Sequence, residues 1–416
     1  AEADVDRVVM GTLMRSGDQL RASAQLVEAP SGTLLTAHTV QASLGDLFRL
    51  QDDIARRVVE ALSLPLTGGT PASADAPQNA RAYELYLRGN ELARTYDGLA
   101  SARDLYEQSL DLDSRFAPAW AQLGRCHRVI GKYVAGAPDS ESRAEEAFQR
   151  ALAINPHLSI AHKFYANLEA DIGQAVRALV RLLNEANRHG NDPELFAGLV
   201  HACRYCGLFE ESIAAHVEAR RLDPNVPTSI EQTWLMAGEI DHLLGVEPAA
   251  LVAGADEGIR VIGLGLAGRR DEARQALVRM RRAHIPAFQS WAEFLMAWLE
   301  KRTADMIRRM TTFDGLKIRE DPEAIFQEGR FFCDVGEYRK GLDLVKRAVE
   351  KGYWVAPTLQ RSHEFDALRG DPEFQAVTAE AVAGHERASA AFREEGGERL
   401  LGRRVASESH SSHGGS

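Results

Sequence analysis

Two hydrophobic periods divide the chain. Within residues 5–40, Leu20, Ala22, Ala24 and Leu26 alternate with Arg21, Ser23 and Gln25, the period-2 pattern of a half-buried strand, and Ser16-Gly17-Asp18 and Pro30-Ser31-Gly32 supply turns on either side. The period then lengthens. Leu47, Leu50, Ile54, Val58 and Leu62 lay one apolar stripe along a helix that Pro65 ends. Pro65 through Asn79 holds three prolines, two glycines and small residues, the composition of a linker. From Ala80 the helical period is nearly continuous. The pattern therefore predicts three strands and a helix, a linker, and a long helical region.

The helical region repeats. Between Phe116 and Pro156 it reads Trp120, Leu123, Gly124, then Ala144, Phe148, Ala151 and Pro156. A small residue on each of two antiparallel helices lets their backbones approach, while Trp120 and Phe148 fill the space beside them. Gly89, followed by Ala102 and Tyr106, lies 35 residues before Gly124. This order and spacing resemble the tetratricopeptide repeat, whose period is about 34 residues. One such hairpin cannot bury its own apolar face, so neighbours must stack on it. Residues 157–187 form a divergent third unit. Glu194 to Asp223 forms a fourth, with Gly207 at its turn, Ala219 inside and Pro224 closing it. Gly131, Gly136 and Pro138 lengthen the turn within the second unit, residues 228–282 hold further helices with Gly268 at a turn, and Gly329, Gly336, Gly341 and Ala348 mark the last clear unit.

A second resemblance covers the organisation of residues 5–375. Arg15-Ser16-Gly17-Asp18-Gln19-Leu20-Arg21, Ser23-Ala24-Gln25-Leu26 and Leu47-Phe48-Arg49-Leu50-Gln51-Asp52-Asp53-Ile54-Ala55 are similar to the second half of the small TolB-like α/β domain. Phe365 through Gln375 resembles the segment that closes the repeat arrays of the same bacterial signalling proteins. The resemblance implies a regulatory region behind an amino-terminal effector: an adenylate cyclase, a serine/threonine kinase or a winged helix-turn-helix regulator. The expected fold class is mainly α, a tetratricopeptide solenoid preceded by a partial α/β domain. The expected boundaries are 1–64 for that domain, 65–79 for the linker, 80–378 for the solenoid with its closing segment, 379–402 for a terminal helix and 403–416 for a disordered tail.

Composition narrows the function. The 416 residues are 45% apolar and 26% charged, as in ordinary globular proteins, and a formal charge of −11 argues against a general nucleic-acid binder. No uncharged apolar run approaches the ~20 residues of a membrane helix, and the acidic start Ala1-Glu2-Ala3-Asp4 is unlike a signal peptide. Four cysteines are too few for a disulfide scaffold. The expected location is cytoplasmic, with the extracytoplasmic part of a membrane-tethered parent as the alternative.

Signals of chemistry are weak. Gly263-Leu264-Gly265-Leu266-Ala267-Gly268 matches the dinucleotide fingerprint literally, but the chain beyond it, Ile285-Pro286-Ala287-Phe288-Gln289, supplies neither second strand nor carboxylate, so a further helical hairpin is the expectation. Cys203 and Cys206 lack partners for a zinc site and read as small core residues, Cys126 and Cys333 being remote in sequence. His127, His162, His189, His201 and His216 fall on different hairpins and read as packing or surface residues, and His410 and His413 sit in a low-complexity tail. No catalytic residue, metal or cofactor is expected.

What remains is recognition. In a stacked array the first helix of each hairpin lines the inner groove, which places Tyr86, Asn90, Arg94, Arg125, Arg128, Lys163, Asn167, His201, Arg204 and Arg330 there at one-turn spacing. Lys163 and Asn167 resemble the pair with which some tetratricopeptide proteins clamp a terminal carboxylate, although Glu194 and Gly198 depart from the rest of that clamp. A protein or peptide partner is expected, acidic in character because cations in a groove pair with carboxylates. Nucleic acid is not. The open edge of the amino-terminal sheet is expected to self-associate.

Overall fold

A computed structural model of the chain describes residues 7–28, 34–43, 77–134, 136–245, 255–280 and 286–402. The helix expected at 47–62, most of the linker and the tail from 403 lie outside the described residues. Strands β1 (Arg7–Ser16), β2 (Gln19–Glu28) and β3 (Leu34–Ser43) form an antiparallel sheet in that order. The two-residue turn joining β1 to β2 needs a left-handed residue, which Gly17 provides at φ 62°. The alternation read in β2 is real: Leu20, Ala22, Ala24 and Leu26 are buried while Arg21 and Gln25 are exposed. Along β1, Val9, Leu13 and Met14 are exposed.

The helical region begins with α1 (Ala80–Leu92), α2 (Leu99–Leu112), α3 (Ala117–Tyr133), α4 (Ser140–Ile154), α5 (Ser159–Asp171), α6 (Ala175–Arg188), α7 (Pro193–Tyr205) and α8 (Phe209–Leu222). These pair as hairpins in sequence order. It continues through α9 (Ile230–Ala237), α10 (Ile240–Gly245), α11 (Ala255–Leu266), α12 (Arg270–Met280), α13 (Pro286–Leu299), α14 (Thr303–Met310), α15 (Pro322–Asp334), α16 (Tyr338–Glu350), α17 (Ala356–Arg361) and α18 (Pro372–Glu394). A mainly α fold of stacked hairpins with a small amino-terminal sheet is thus present.

The small-residue slots work as the sequence implies. A Cβ on Gly124 would lie 2.5 Å from the Phe148 ring, and one on Gly89 would lie 2.6 Å from the Tyr106 ring, so in successive hairpins an aromatic residue occupies the volume that glycine vacates. Both rings are fully buried. Three helices start with the same three residues, Asp-Pro-Glu. Asp192, Asp321 and Asp371 each accept a hydrogen bond from the backbone N–H of the glutamate two residues on, at 2.9, 2.9 and 2.7 Å, while proline fills the first helical position, where no donor is needed.

The array does not remain an open arc. Helices α13 and α15 lie across the inner face of the first hairpins. Tyr96, Tyr133 and Phe288 meet there with ring centroids 4.9–5.4 Å apart, joining the α1–α2 connection, the end of α3 and the start of α13. Lys132 on α3 reaches Asp321 at the start of α15, 2.6 Å away. On the other side, the Trp354 backbone N–H donates to the Tyr205 carbonyl at 3.1 Å, and the ring of Trp354 packs on Gly384 of α18. One continuous core runs from α6, α7 and α8 into α15, α16 and α18. A second joins α11–α14 to Phe331 and Phe332.

Adding a side chain at Gly124 tests the packing logic. Gly124→Val should destabilise the fold by about 1–3 kcal/mol through overpacking, and shrinking the partner in Gly124→Val/Phe148→Leu should restore part of that loss. Urea denaturation of the four proteins in a double-mutant cycle measures the coupling.

Candidate functional site: a cavity on the inner face

The closure leaves a cavity of ≈ 600 Å³ between the first helices of the early hairpins and the returning helices α13 and α15. One wall is polar. Arg125, Arg128 and Lys132 come from α3, Lys163 and Asn167 from α5, and His201 and Arg204 from α7, at spacings of three or four residues that keep each set on one helix face. The opposite wall is aromatic, built by Phe288, Trp291 and Phe294 of α13 with Phe313 and Phe331. Of the residues assigned to the groove from sequence, Asn90, Arg94, Arg125, Arg128, Lys163, Asn167, His201 and Arg204 line this cavity.

Two do not. Tyr86 packs in an aromatic cluster with Tyr83, Tyr106 and Phe116, its ring centroid 4.8 Å from that of Phe116. Arg330 is buried in an ion pair with Glu364 at 2.5 Å, with its Nη1 3.6 Å from the Met236 sulfur. The reason is that α15 turns a different face to the cavity: Asp321, Glu323, Ala324, Gln327, Glu328 and Phe331 line it instead.

The expected basic face is largely neutralised within the chain. Arg128 meets Asp171 at 2.5 Å, and Lys132 sits between Asp171 at 2.7 Å and Asp321 at 2.6 Å. Lys163 meets Glu194 at 2.6 Å, so Glu194, the departure from the carboxylate-clamp pattern, satisfies the lysine that a clamp would leave free. Arg204 meets Glu323 at 2.7 Å and donates to the Ser229 hydroxyl at 2.7 Å. Arg94 pairs with Glu91 at 3.3 Å. Among the described residues Arg125 alone of these cations makes no ion pair; it donates to the Ala93 carbonyl at 3.2 Å and lies 5.8 Å from the centre of the Phe164 ring. A ligand drawn in by general positive charge does not fit this lining.

Burial opposes the charge on Asp171, but Arg128 and Lys132 outweigh it and hold the carboxyl well below the usual range. Burial likewise raises Asp321, where Lys132 works against the combined effect of burial, Asp171 and Glu323, and the net direction is upward. Tyr205 donates to Asp321 at 2.9 Å, and its phenol is pushed far up by burial and by the adjoining carboxylates. Arg128 and Lys132 also line a second, smaller cavity of ≈ 310 Å³ with Asp171, Lys317 and Lys351, so the charged cluster is a partition between two cavities.

Four side chains of the larger cavity's lining carry a buried polar atom with no hydrogen-bond partner: Asn167 Oδ1, His201 Nε2, Gln232 Oε1 and Gln327 Oε1. His201 Nε2 lies 3.8 Å from Asp171, beyond hydrogen-bond length, while its Nδ1 is 3.1 Å from Arg204. Unsatisfied buried polar groups are costly, and four of them belong to side chains that line this cavity.

Other sequence motifs resolve into packing. The glycine fingerprint lies on and just after α11: residues 259–262 are helical where a nucleotide site needs a strand, and Gly268 at φ 75° turns the chain into α12. Gly263 and Gly265 are small because Leu243 and Trp298 press against them. Cys203 and Cys206 are fully buried, and burial pushes the Cys206 thiol up to about 12. The aromatic wall was missed because α13 has no repeat signature. Asp-Pro-Glu signals the helix start at Asp321 but not which way its glutamate faces: Glu194 and Glu323 line the cavity, while Glu373 pairs with Arg339 and Lys346.

No protein-family model matches the chain. Among curated proteins, "Putative adenylate cyclase 3" of Rhizobium meliloti (strain 1021) is 27% identical over 157 residues, which is 36% of this chain and 27% of that protein. The chain thus matches little more than a quarter of that relative's length. Among solved structures, yeast Tom70 is 12% identical over 79% of this chain and 95% of its own, with a TM-score of 0.24, too low for the two to superpose as a whole.

The buried imidazoles make stability depend on pH. Burial lowers His127, His201 and His216 to about 4. As pH falls from the unfolded value near 6.5 towards 4, the unfolded chain takes up protons that the folded one does not, so stability should drop across that window by up to about 1.4 kcal/mol per pH unit for each such group. Urea unfolding of His201→Gln should show a shallower slope between pH 6.5 and 4 than the parent; equal slopes would mean that His201 is not held neutral.

Proposed function

We propose that the chain is a non-catalytic recognition and regulatory region that receives a short segment of a protein partner in the inner cavity. The observation that carries the reading is one cavity of ≈ 600 Å³ in which an aromatic wall faces a wall of polar side chains. An extended peptide suits both: its apolar side chains pack on Phe288, Trp291 and Phe294, and its amides bond Asn167, Gln232 and Gln327. Among the described cations of the lining named above, Arg125 makes no ion pair and is the one an acidic group on that segment would meet.

The partial likeness to a bacterial adenylate cyclase supports placing this region beside an effector in a longer protein, with the occupied cavity passing a signal to it. Cyclase, kinase or DNA-binding effectors fit the proposal equally, and a cytoplasmic location goes with them. No helix among the described residues is long and apolar enough to cross a membrane. The exposed Val9, Leu13 and Met14 of β1 also make self-association through the sheet edge part of the proposal.

Selection of short random peptides against the purified protein, followed by calorimetry on the best binder, tests the cavity reading. Trp291→Ala should weaken that peptide at least tenfold, and Arg125→Glu should weaken those selected peptides that carry a carboxylate while sparing neutral ones. Exposed Arg274→Glu should change neither. Binding untouched by Trp291→Ala would remove the cavity from the account.

A further inference from the structure

Outside the cavity, the fold brings together three residues that the sequence leaves apart. Glu185 and His189 stand one turn apart at the end of α6, and His157 lies in the turn that leads into α5. Asn155 fixes that turn by accepting from the His157 backbone N–H at 3.0 Å, and the His189 N–H donates to the Glu185 carbonyl at 2.8 Å. One ligand atom from each of the three side chains lies within 4.8 Å of the others. By spacing alone His189 is a packing or surface residue; in the fold it is one of two imidazoles flanking a buried carboxylate.

We propose that His157, Glu185 and His189 form a binding site for a borderline transition-metal ion, Zn²⁺ foremost. Two imidazoles and a carboxylate are a donor set that Zn²⁺ favours, with the fourth position open to water. With bonds near 2.0–2.1 Å, a tetrahedral ion holds neighbouring donor atoms about 3.3 Å apart and the centres of two imidazole rings about 5 Å apart. Here His157 Nδ1 lies 3.1 Å from Glu185 Oε2, and the two ring centroids are 5.2 Å apart. The groups are therefore near the spacing that a shared ion imposes.

His157 Nδ1 and Glu185 Oε2 are hydrogen-bonded to each other at 3.1 Å, a contact that a shared ion would replace, and the other neighbours leave these atoms available. Arg188 holds the other carboxylate oxygen, Glu185 Oε1, at 3.0 Å, leaving Oε2 on the histidine side. His162 approaches Oε1 at 4.0 Å, but the same nitrogen is bonded to the Pro156 carbonyl at 2.7 Å and stays outside the donor set. Arg181 is occupied by Glu169 at 2.7 and 2.9 Å. Both ligand histidines are exposed, so an ion can enter from solvent, while Glu185 is 6% exposed and held in place by Arg188. A bound ion would clip the entry of α5 to the exit of α6 and stiffen the third hairpin.

Calorimetric titration of the metal-free full chain with Zn²⁺ tests this, with Co²⁺ absorption as the geometric readout. The tail histidines are a second source of metal binding, so the reference protein is His410→Ala/His413→Ala. That protein should bind one Zn²⁺, gain thermal stability with rising Zn²⁺ concentration, and give the intense visible band of tetrahedral Co²⁺. His157→Ala and His189→Ala should each reduce affinity at least tenfold and abolish the Co²⁺ band, with unchanged circular dichroism showing that the fold survives. The milder His157→Gln should also lose the band. Loss of all binding in the tail variant, or Zn²⁺ affinity in the His157 and His189 variants equal to that of the reference protein, would overturn the proposal.

Discussion

Two carboxylates and two cations buried at the end of α3 hold this molecule in its closed form. Arg128 and Lys132 reach Asp171, and Lys132 also reaches Asp321, which Tyr205 bonds from a fourth helix. Buried ion pairs return little net stability, because desolvation of the charges cancels most of their attraction. Their effect is on specificity. A lysine buried between two aspartates is satisfied in one arrangement of α3, α5 and α15, and any slip of the returning helix strands a charge away from water. Asp321 adds a second constraint, since the same carboxylate caps α15.

The cavity follows from that closure. Stacked hairpins alone would give an open concave groove, and the polar residues along it would be solvated. Laying α13 and α15 across the groove adds an aromatic wall opposite the polar one. Closure also alters the electrostatics. Glu194, Glu323 and Asp321 are the partners of Lys163, Arg204 and Lys132, so the wall that is basic in isolation is close to neutral once assembled. What is left to recognise is shape, aromatic surface and a few amides.

Much of the architecture was legible because local packing dictates it. Gly89 with Tyr106 and Gly124 with Phe148 announce close helix pairs from sequence alone, and the alternation in β2 announces a half-buried strand. The inner faces of α3, α5 and α7 were also legible, since helical spacing decides which side chains share a face. Tyr86 and Arg330 show the limit: each sits on the first helix of a hairpin, yet the rotation of that helix turned one into an aromatic cluster and the other into a buried pair with Glu364. Long-range closure was not legible. Lys132 and Asp321 lie 189 positions apart, and no periodicity links them. The meeting of His157 with Glu185 and His189 escaped for a similar reason, because it depends on where one turn falls against the end of another helix.

The most direct test of the closed arrangement is the coupling energy between Lys132 and Asp321, measured by urea unfolding of the parent, Lys132→Met, Asp321→Leu and the double variant. The structure predicts that the two single losses exceed the double loss by at least about 1 kcal/mol, since each single change leaves a buried charge short of its partner. Additivity to within about 0.5 kcal/mol would mean that α3 and α15 do not meet, and the closed cavity would go with it.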